Sequence, residues 1–379
     1  MKALFSHFIK SLVTIDWILF GSVVLISSAG LVTMNSFVAD NIFFTRQLVW
    51  LSVGICIFFG LSIIDFKFLR RTSVITWLFV FTVGLLSLLF IVGSVIKGAQ
   101  SWFDLGFFSI QPAELAKLVL IILLAKYFSR RHIEIRNIRH ILVSGIYAGI
   151  LFLLILAQGD FGSAVIIFLI WFGMVLVSGI SKKHLLLVFG IILLSTTVLW
   201  TFVFQDYQKA RIISFVKPLE DIQGAGYNAY QSTITVGSGK LFGKGLGYGT
   251  QSRLQFLPEH ETDFIFAAFA EEWGFIGVLI ILVLYGVVVW RILINALYGA
   301  SNFETLFGLG LAILIMSHFT IHIGMNIGLL PVTGITIPFM SYGGSHVIVV
   351  FTALGILMGM RKYSRTVHQN IMRNEFLGA

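Results

Sequence analysis

The chain has 379 residues, 58% of them hydrophobic and 11% charged, with a mean hydropathy of +0.96. That apolar content excludes a soluble globular domain, and apolar runs recur along the whole length, so the sequence reads as a polytopic membrane protein. The formal net charge of +9 does not point to nucleic acid. The basic residues cluster in short loops between apolar runs, where they set orientation and meet anionic lipid headgroups.

Lys2 and Lys10 precede an apolar run that starts at Trp17, which reads as an uncleaved first helix and not as a signal peptide. Runs long enough to cross, at about 20 residues per span, fall at 17–34, 48–64, 74–96, 113–128, 141–157, 161–180, 185–204, 264–290, 305–328 and 346–360. The expectation is an all-α polytopic protein of ten transmembrane helices, a single integral membrane domain over residues 1–379. Cys56 lies inside the second run and is the one cysteine, so cysteine usage carries no information about redox compartment.

An even number of spans puts both termini on one side, and that side collects 17 of the 26 Lys and Arg residues. The opposite side has Arg46 and Lys97 in short loops and six basic residues in one long loop, which counts little toward orientation. Both termini are therefore expected in the cytoplasm. The exported side then holds 97–112, the turn Gln158-Gly159-Asp160, the long loop 205–262 and 329–345. Aromatic residues spaced through the long loop predict a folded cap with short amphipathic helices. No separate soluble domain and no internal repeat is visible.

Charge inside or beside a span is costly, so each such residue is a candidate for function. Glu114 and Lys117, at i and i+3 of the fourth run, share a face and suit either a buried ion pair or a polar cavity. Asp160, between Gly159 and Gly162, suits a helix cap or a site. Asp263 opens the eighth run, where a carboxylate lies half in water and half against hydrocarbon. By itself it reads as a helix N-cap, a role that does not prevent it from accepting a proton. Glu271, eight residues on, is about 12 Å deeper and about 80° around the helix, with Glu272 nearly opposite Asp263, so both read as support.

Gly237-Ser238-Gly239-Lys240 and Gly243 to Gly249 imitate a phosphate loop but lack the strand and the spacing of a nucleotide site. A basic glycine-rich loop still suits pyrophosphate. His318 and His322 have metal-ligand spacing on a helix, yet no carboxylate lies between them and the run is apolar, so they read as satisfied buried histidines.

Several stretches together resemble the shape, elongation, division and sporulation (SEDS) polymerases. They are Gly98-Ala99-Gln100-Ser101-Trp102, Gln111-Pro112-Ala113-Glu114-Leu115-Ala116-Lys117, Gln158-Gly159-Asp160, Leu257-Pro258-Glu259 with Thr262-Asp263-Phe264, and Pro331 through Ser345. Gly249-Thr250-Gln251-Ser252 and the short tails look more like the elongation branch (RodA) than the division branch (FtsW).

The resemblance implies a peptidoglycan glycosyltransferase that polymerises lipid II on the outer face of the bacterial inner membrane. It also implies a class B penicillin-binding transpeptidase as partner and an elongation complex organised by an MreB-type filament. Carried over residue by residue, Asp263 takes the essential aspartate position, Glu114 and Lys117 the charged pair, and Asp160 the aspartate of a Gln-Pro-Asp motif. Gly159 stands where the family carries proline, which implies a looser turn ahead of Asp160.

Glycan polymerisation needs a base for the acceptor 4-hydroxyl and positive charge for the departing pyrophosphate. Asp263 is the expected base. Arg211, Lys217, Lys240, Lys244 and Arg253 are candidate phosphate contacts, and Gln111, Glu114, Lys117, Asp160 and Ser341 are candidate cavity residues. No metal-ligand set is read, and a divalent cation (Mg or Mn) at the pyrophosphate is left open. Two alternatives stand beside this reading: a flippase or transporter of the lipid-linked precursor, with charges near the midplane, and a non-catalytic scaffold for the transpeptidase.

Overall fold

A computed structural model describes residues 15–37, 42–96, 99–104, 106, 109–130, 138–203, 209, 213, 215, 225–254 and 256–377. Ten long helices follow the ten apolar runs in order: α1 (Trp17–Asn35), α2 (Ile42–Ser62), α3 (Thr72–Val92), α4 (Pro112–Ser129), α5 (Ile138–Ala157), α6 (Phe161–Val177) and α7 (Lys182–Val198), then, after two shorter helices, α10 (Ile265–Leu297), α11 (Asn302–Asn326) and α12 (Gly344–Leu377). The shorter pair, α8 (Ala225–Ser238) and α9 (Thr250–Arg253), belongs to the segment expected to form a cap.

Among the described residues seven helices are long and apolar enough to cross a membrane. The other three of the ten fall short for visible reasons. α6 and α7 have 17 residues each, and α4 carries Glu114, Lys117 and Lys126. The protein is a mostly helical, polytopic integral membrane protein.

The all-α expectation needs one correction. The third apolar run stops being helical at Val92, where Gly93 takes an extended conformation. The chain then forms a small antiparallel sheet, β1 (Ser94–Ile96), β2 (Ala99–Asp104) and β3 (Ser109–Ile110), in the order β1-β2-β3. Ser94 pairs with Trp102, and Phe103 with Ile110. Extended backbone has no internal hydrogen bonds, so this segment had to pair with itself once it left the helix.

α4 is the central pillar. Its residues from Ala116 to Ala125 are all buried, as expected of a helix surrounded by other helices and not by lipid. It packs against α3, α6, α11 and α12, while α2 lies along α12 and α1 along α10. The outer helices present apolar side chains outward, including Trp77, Ile91 and Leu186, each more than 70% exposed. This is the inverse of a soluble protein and fits a hydrocarbon surround.

At one end of the bundle Asp16 caps α1 by accepting from the Leu19 N–H at 3.2 Å. The same carboxylate accepts from Arg291 and Asn295 of α10 and pairs with Arg361 of α12 at 3.2 Å. Burial works to raise its pKa, but these donors outweigh it and hold the carboxyl below its ordinary value.

α10 is two helices end to end. Gly274 has φ +67° and ψ −169° inside it, which breaks the hydrogen-bond ladder and frees carbonyls on one side and N–H groups on the other. The glycine-rich segment after α8 supplies the missing partners. Lys244 N and Gly245 N donate to the carbonyls of Glu271 and Glu272, and the carbonyls of Lys240 and Leu241 accept from Phe275 N and Ile276 N. A Cβ on Gly243 would lie 2.1 Å from the Glu272 carbonyl oxygen. Only glycine permits that approach.

Candidate active site

The expected site residues lie on separate elements, and one irregular segment runs among them. Residues 327–343 connect α11 to α12 without regular structure. A Cβ at Gly162, near the start of α6, would meet the carbonyl oxygen of Thr333 at 2.7 Å. A Cβ at Gly334 would lie 3.6 Å from Asp263 Oδ2. The carbonyls of Ile335 and Thr336 accept from Nδ1 of His322 (2.7 Å) and His318 (3.0 Å). One strip of backbone therefore touches the neighbourhoods of Asp263, Asp160 and the Glu114–Lys117 pair.

Asp263 is half-buried. It is not the helix cap expected from its position, because α10 begins at Ile265 with Phe264 at the cap and no side-chain capping bond. The peptide groups on either side of its Cα are both held. The Thr262 carbonyl accepts from Ser341 Oγ at 2.8 Å, and the Asp263 carbonyl accepts from Asn326 Nδ2 at 3.0 Å. Phe264 N, in the same peptide unit as the Asp263 carbonyl, donates to the Glu259 carbonyl at 3.1 Å. The carboxylate borders Gly334.

Glu114 and Lys117 form a buried ion pair, Nζ to Oε1 at 2.7 Å, with 5% and 1% of their surface exposed. Two histidines complete it. His346 Nδ1 lies 2.9 Å from Glu114 Oε2, and Lys117 Nζ lies 3.3 Å from His318 Nε2. The His318 Nδ1 proton goes to Thr336, so its Nε2 is placed to accept from the ammonium. Glu114, His318 and His346 bring ligand atoms within 4.8 Å of one another, a donor set suited to a divalent ion. The Lys117 ammonium already contacts two of the three, so a metal there has to displace or discharge it.

His318 and His322 are both buried and donate from Nδ1 to different backbone carbonyls; the expectation of satisfied histidines holds for His318, whereas His322 Nε2 has no partner among the described residues. His346 is the member that periodicity missed, since it lies 232 residues from Glu114. The Ser-His dipeptide at the start of an otherwise apolar run was the available signal.

Asp160 is the cap of α6, accepting from Ser163 N at 2.9 Å. Its other oxygen accepts from Gln111 Nε2 at 2.7 Å, and Gln111 N donates to Ser345 Oγ at 3.1 Å. The looser turn expected from Gly159 is not what forms. Gly159 takes φ +83°, which proline cannot adopt, and Asp160 is held from two elements.

Two expected binding residues are engaged within the protein. Ser341 is 2% exposed, and its hydroxyl is engaged with Thr262 and Ile337, so it shapes backbone and does not face a ligand. Lys244 Nζ pairs with the buried Glu271 at 2.7 Å, so its charge is already matched. The glycine-rich loop directs its Lys244, Gly245 and Gly247 N–H groups to Glu271 and Glu272, which leaves it repairing a helix break and not cradling phosphate. Lys240 and Arg253 are exposed on that same loop. Arg211 and Lys217 lie outside the described residues.

Both glutamates are support, as expected. Glu271 also accepts from Gln251 N at 3.1 Å, and Glu272 accepts from Gly247 N at 3.0 Å and from Ser36. The segment from 239 to 253 is thus tied to α10 by two carboxylates.

The family model described as cell cycle protein, which joins FtsW, RodA and SpoVE, matches residues 8–366. Stage V sporulation protein E of Bacillus subtilis is 37% identical over 346 residues, 90% of this chain and 93% of that one. Peptidoglycan glycosyltransferase MrdB of Escherichia coli is 35% identical over 300 residues, 78% and 80% of the two chains. Among solved structures, a chain of a peptidoglycan synthase complex, described as coordinating polymerization and crosslinking, superposes with a TM-score of 0.80 at 31% identity, covering 92% of this chain and 98% of that one. The rod shape determining protein RodA of Thermus thermophilus gives 0.69 at 30% identity, covering 91% and 96%. With nearly the whole chain matched, and with the charged pair, the capping aspartate and the half-buried Asp263 gathered along one connecting segment, this protein belongs to the SEDS family of FtsW, RodA and SpoVE.

Proposed function

We propose that this chain is a peptidoglycan glycosyltransferase that polymerises lipid II, with Asp263 as the general base. The observation that carries the reading is the convergence of Asp263, Asp160 and the Glu114–Lys117 pair along residues 327–343. In the reaction, the Asp263 carboxylate takes the proton of the acceptor sugar 4-hydroxyl. That oxygen attacks C1 of the donor sugar, and the C1–oxygen bond breaks with its electron pair leaving on undecaprenyl diphosphate. Lys240 and Arg253, both exposed, are candidates to meet the diphosphate, with Arg211 and Lys217 as further candidates. Glu114 and Lys117 form a buried ion pair beside the site, where a fixed charge pair adds to the electrostatic field.

The chain crosses the bacterial inner membrane ten times with both termini cytoplasmic, and the site opens on the exported face. Its partner is a class B penicillin-binding transpeptidase, and it serves cell elongation within an MreB-type complex. Support for elongation comes from Gly249–Ser252 and the likeness to RodA and MrdB. The flippase alternative is weakened at two of its charges, because Lys117 pairs with Glu114 and Glu271 with Lys244.

Purified Asp263→Asn, with and without the transpeptidase, is expected to make no glycan from lipid II while running as folded protein on size exclusion. In rod-shaped cells lacking their own elongation polymerase, wild type is expected to restore rods and Asp263→Asn is not. Wild-type polymer yield from the variant removes Asp263 from the base role. Failure of the wild type to restore rods removes the elongation role.

A further inference from the structure

We propose that Asn326 is a positioning residue for Asp263, setting the backbone from which the carboxylate is aimed. The inference rests on the reading of Asp263 as the base. Asn326 is the last residue of α11 and is fully buried. Both N–H groups of its side-chain amide and the amide oxygen are engaged. Nδ2 donates to the carbonyls of Asp263 at 3.0 Å and His322 at 2.8 Å. Oδ1 accepts from Ala267 N at 3.1 Å, while the single proton of Ser232 Oγ goes to the Asn326 backbone carbonyl at 2.9 Å, with Oδ1 farther off at 3.3 Å. Two carbonyls on one side and an N–H on the other fix which end of the amide is nitrogen.

The two bonds to the Asp263 segment do different things. α10 starts without a side-chain cap of its own, and the first turn of a helix leaves N–H groups unpaired. Asn326 Oδ1 pairs one of them, at Ala267, from another helix. Asn326 Nδ2 meanwhile holds the Asp263 carbonyl, and the N–H of the same peptide unit is held by the Glu259 carbonyl at 3.1 Å. With both polar ends of that peptide pinned, its plane cannot rotate. The plane fixes one of the two backbone torsions of Asp263, and the bond from Ser341 to Thr262 restrains the preceding peptide.

Asp263 thus stands just before a helix start on a held backbone, with Oδ2 bordering Gly334. Ser232 of α8 joins the same node through Asn326 but makes no bond to Asp263 among the described contacts. That asymmetry supplies the control. A small misplacement of a catalytic group costs rate far more than it costs substrate affinity.

The test measures lipid II polymerisation by the full chain, with its transpeptidase where the wild type requires it, for Asn326→Ala, Asn326→Asp and Ser232→Ala. Asn326→Asp keeps the shape and the acceptor for Ala267 N–H and loses both amide donors, so it covers the case in which Asn326→Ala does not fold. Both Asn326 variants are expected to lose at least tenfold in kcat, with KM for lipid II within twofold of wild type. Ser232→Ala is expected to lower the melting temperature and to leave kcat within twofold. A kcat per folded protein equal to wild type in Asn326→Asp overturns the inference, as does an equal kcat loss in Ser232→Ala. If Asp263→Asn is inactive while Asn326→Asp is not, only the inference fails. If Asp263→Asn is itself active, the assignment of the base fails first.

Discussion

Lys117 illustrates how a residue's role follows from its partners. A lysine with 1% exposure is tolerable only because Glu114 neutralises it and His318 takes a further N–H of the ammonium. Removing one member of such a pair costs about 3–5 kcal/mol, because the other charge is left buried and alone. Lys117→Met is therefore expected to lower the melting temperature of the detergent-solubilised protein by several degrees. The double variant Glu114→Gln, Lys117→Met is expected to recover much of that loss and remain inactive in glycan synthesis. Recovery of stability together with activity would mean the pair is structural. The sequence placed Glu114 and Lys117 on one face by their spacing. It could not supply His346, because nothing local connects α4 to the start of α12.

At the level of elements, the kink in α10 explains a stretch that looked like a phosphate loop. Glycines at 239 and 243 are needed because backbone atoms of α10 come too close for any side chain. The basic residue Lys244 is there to meet a buried carboxylate. Glu271 gathers Lys244 together with the N–H groups of Gln251 and Ser252. Each hydrogen bond to a charged group contributes roughly 1.5–3 kcal/mol. Glu271→Gln turns part of that acceptor into a donor facing donors. It is expected to speed limited proteolysis within 239–253 severalfold before any other cut appears. An unchanged digestion pattern would show that the kink holds the segment without Glu271. The small β-sheet at 94–110 and the break at Gly274 were both hidden by hydropathy, since a strand and a kinked helix can be as apolar as a straight span.

At the scale of the whole chain, ten long helices among the described residues follow the ten apolar runs, and the basic residues of the connecting loops argue for cytoplasmic termini. With Cys56 replaced by serine, Phe242→Cys is expected to react with a membrane-impermeant maleimide added outside intact cells. Arg365→Cys is expected to react only after the membrane is opened. The opposite pattern would invert the topology and move Asp263 to the cytoplasmic face.

The sequence by itself determined the membrane class, the positions of the long helices, the family and the identity of the charged residues inside it. Those properties are local, because hydropathy and spacing are read within about 20 residues. The tertiary structure decided what each charged or polar group does. The helix start beside Asp263 is served by Asn326, 63 residues away, which also holds the Asp263 carbonyl. Lys244 was withdrawn from ligand binding by Glu271, 27 residues on. A buried polar group must find a partner. Which partner it finds depends on where kinks and irregular segments leave backbone groups unpaired, and that is a property of the packed chain.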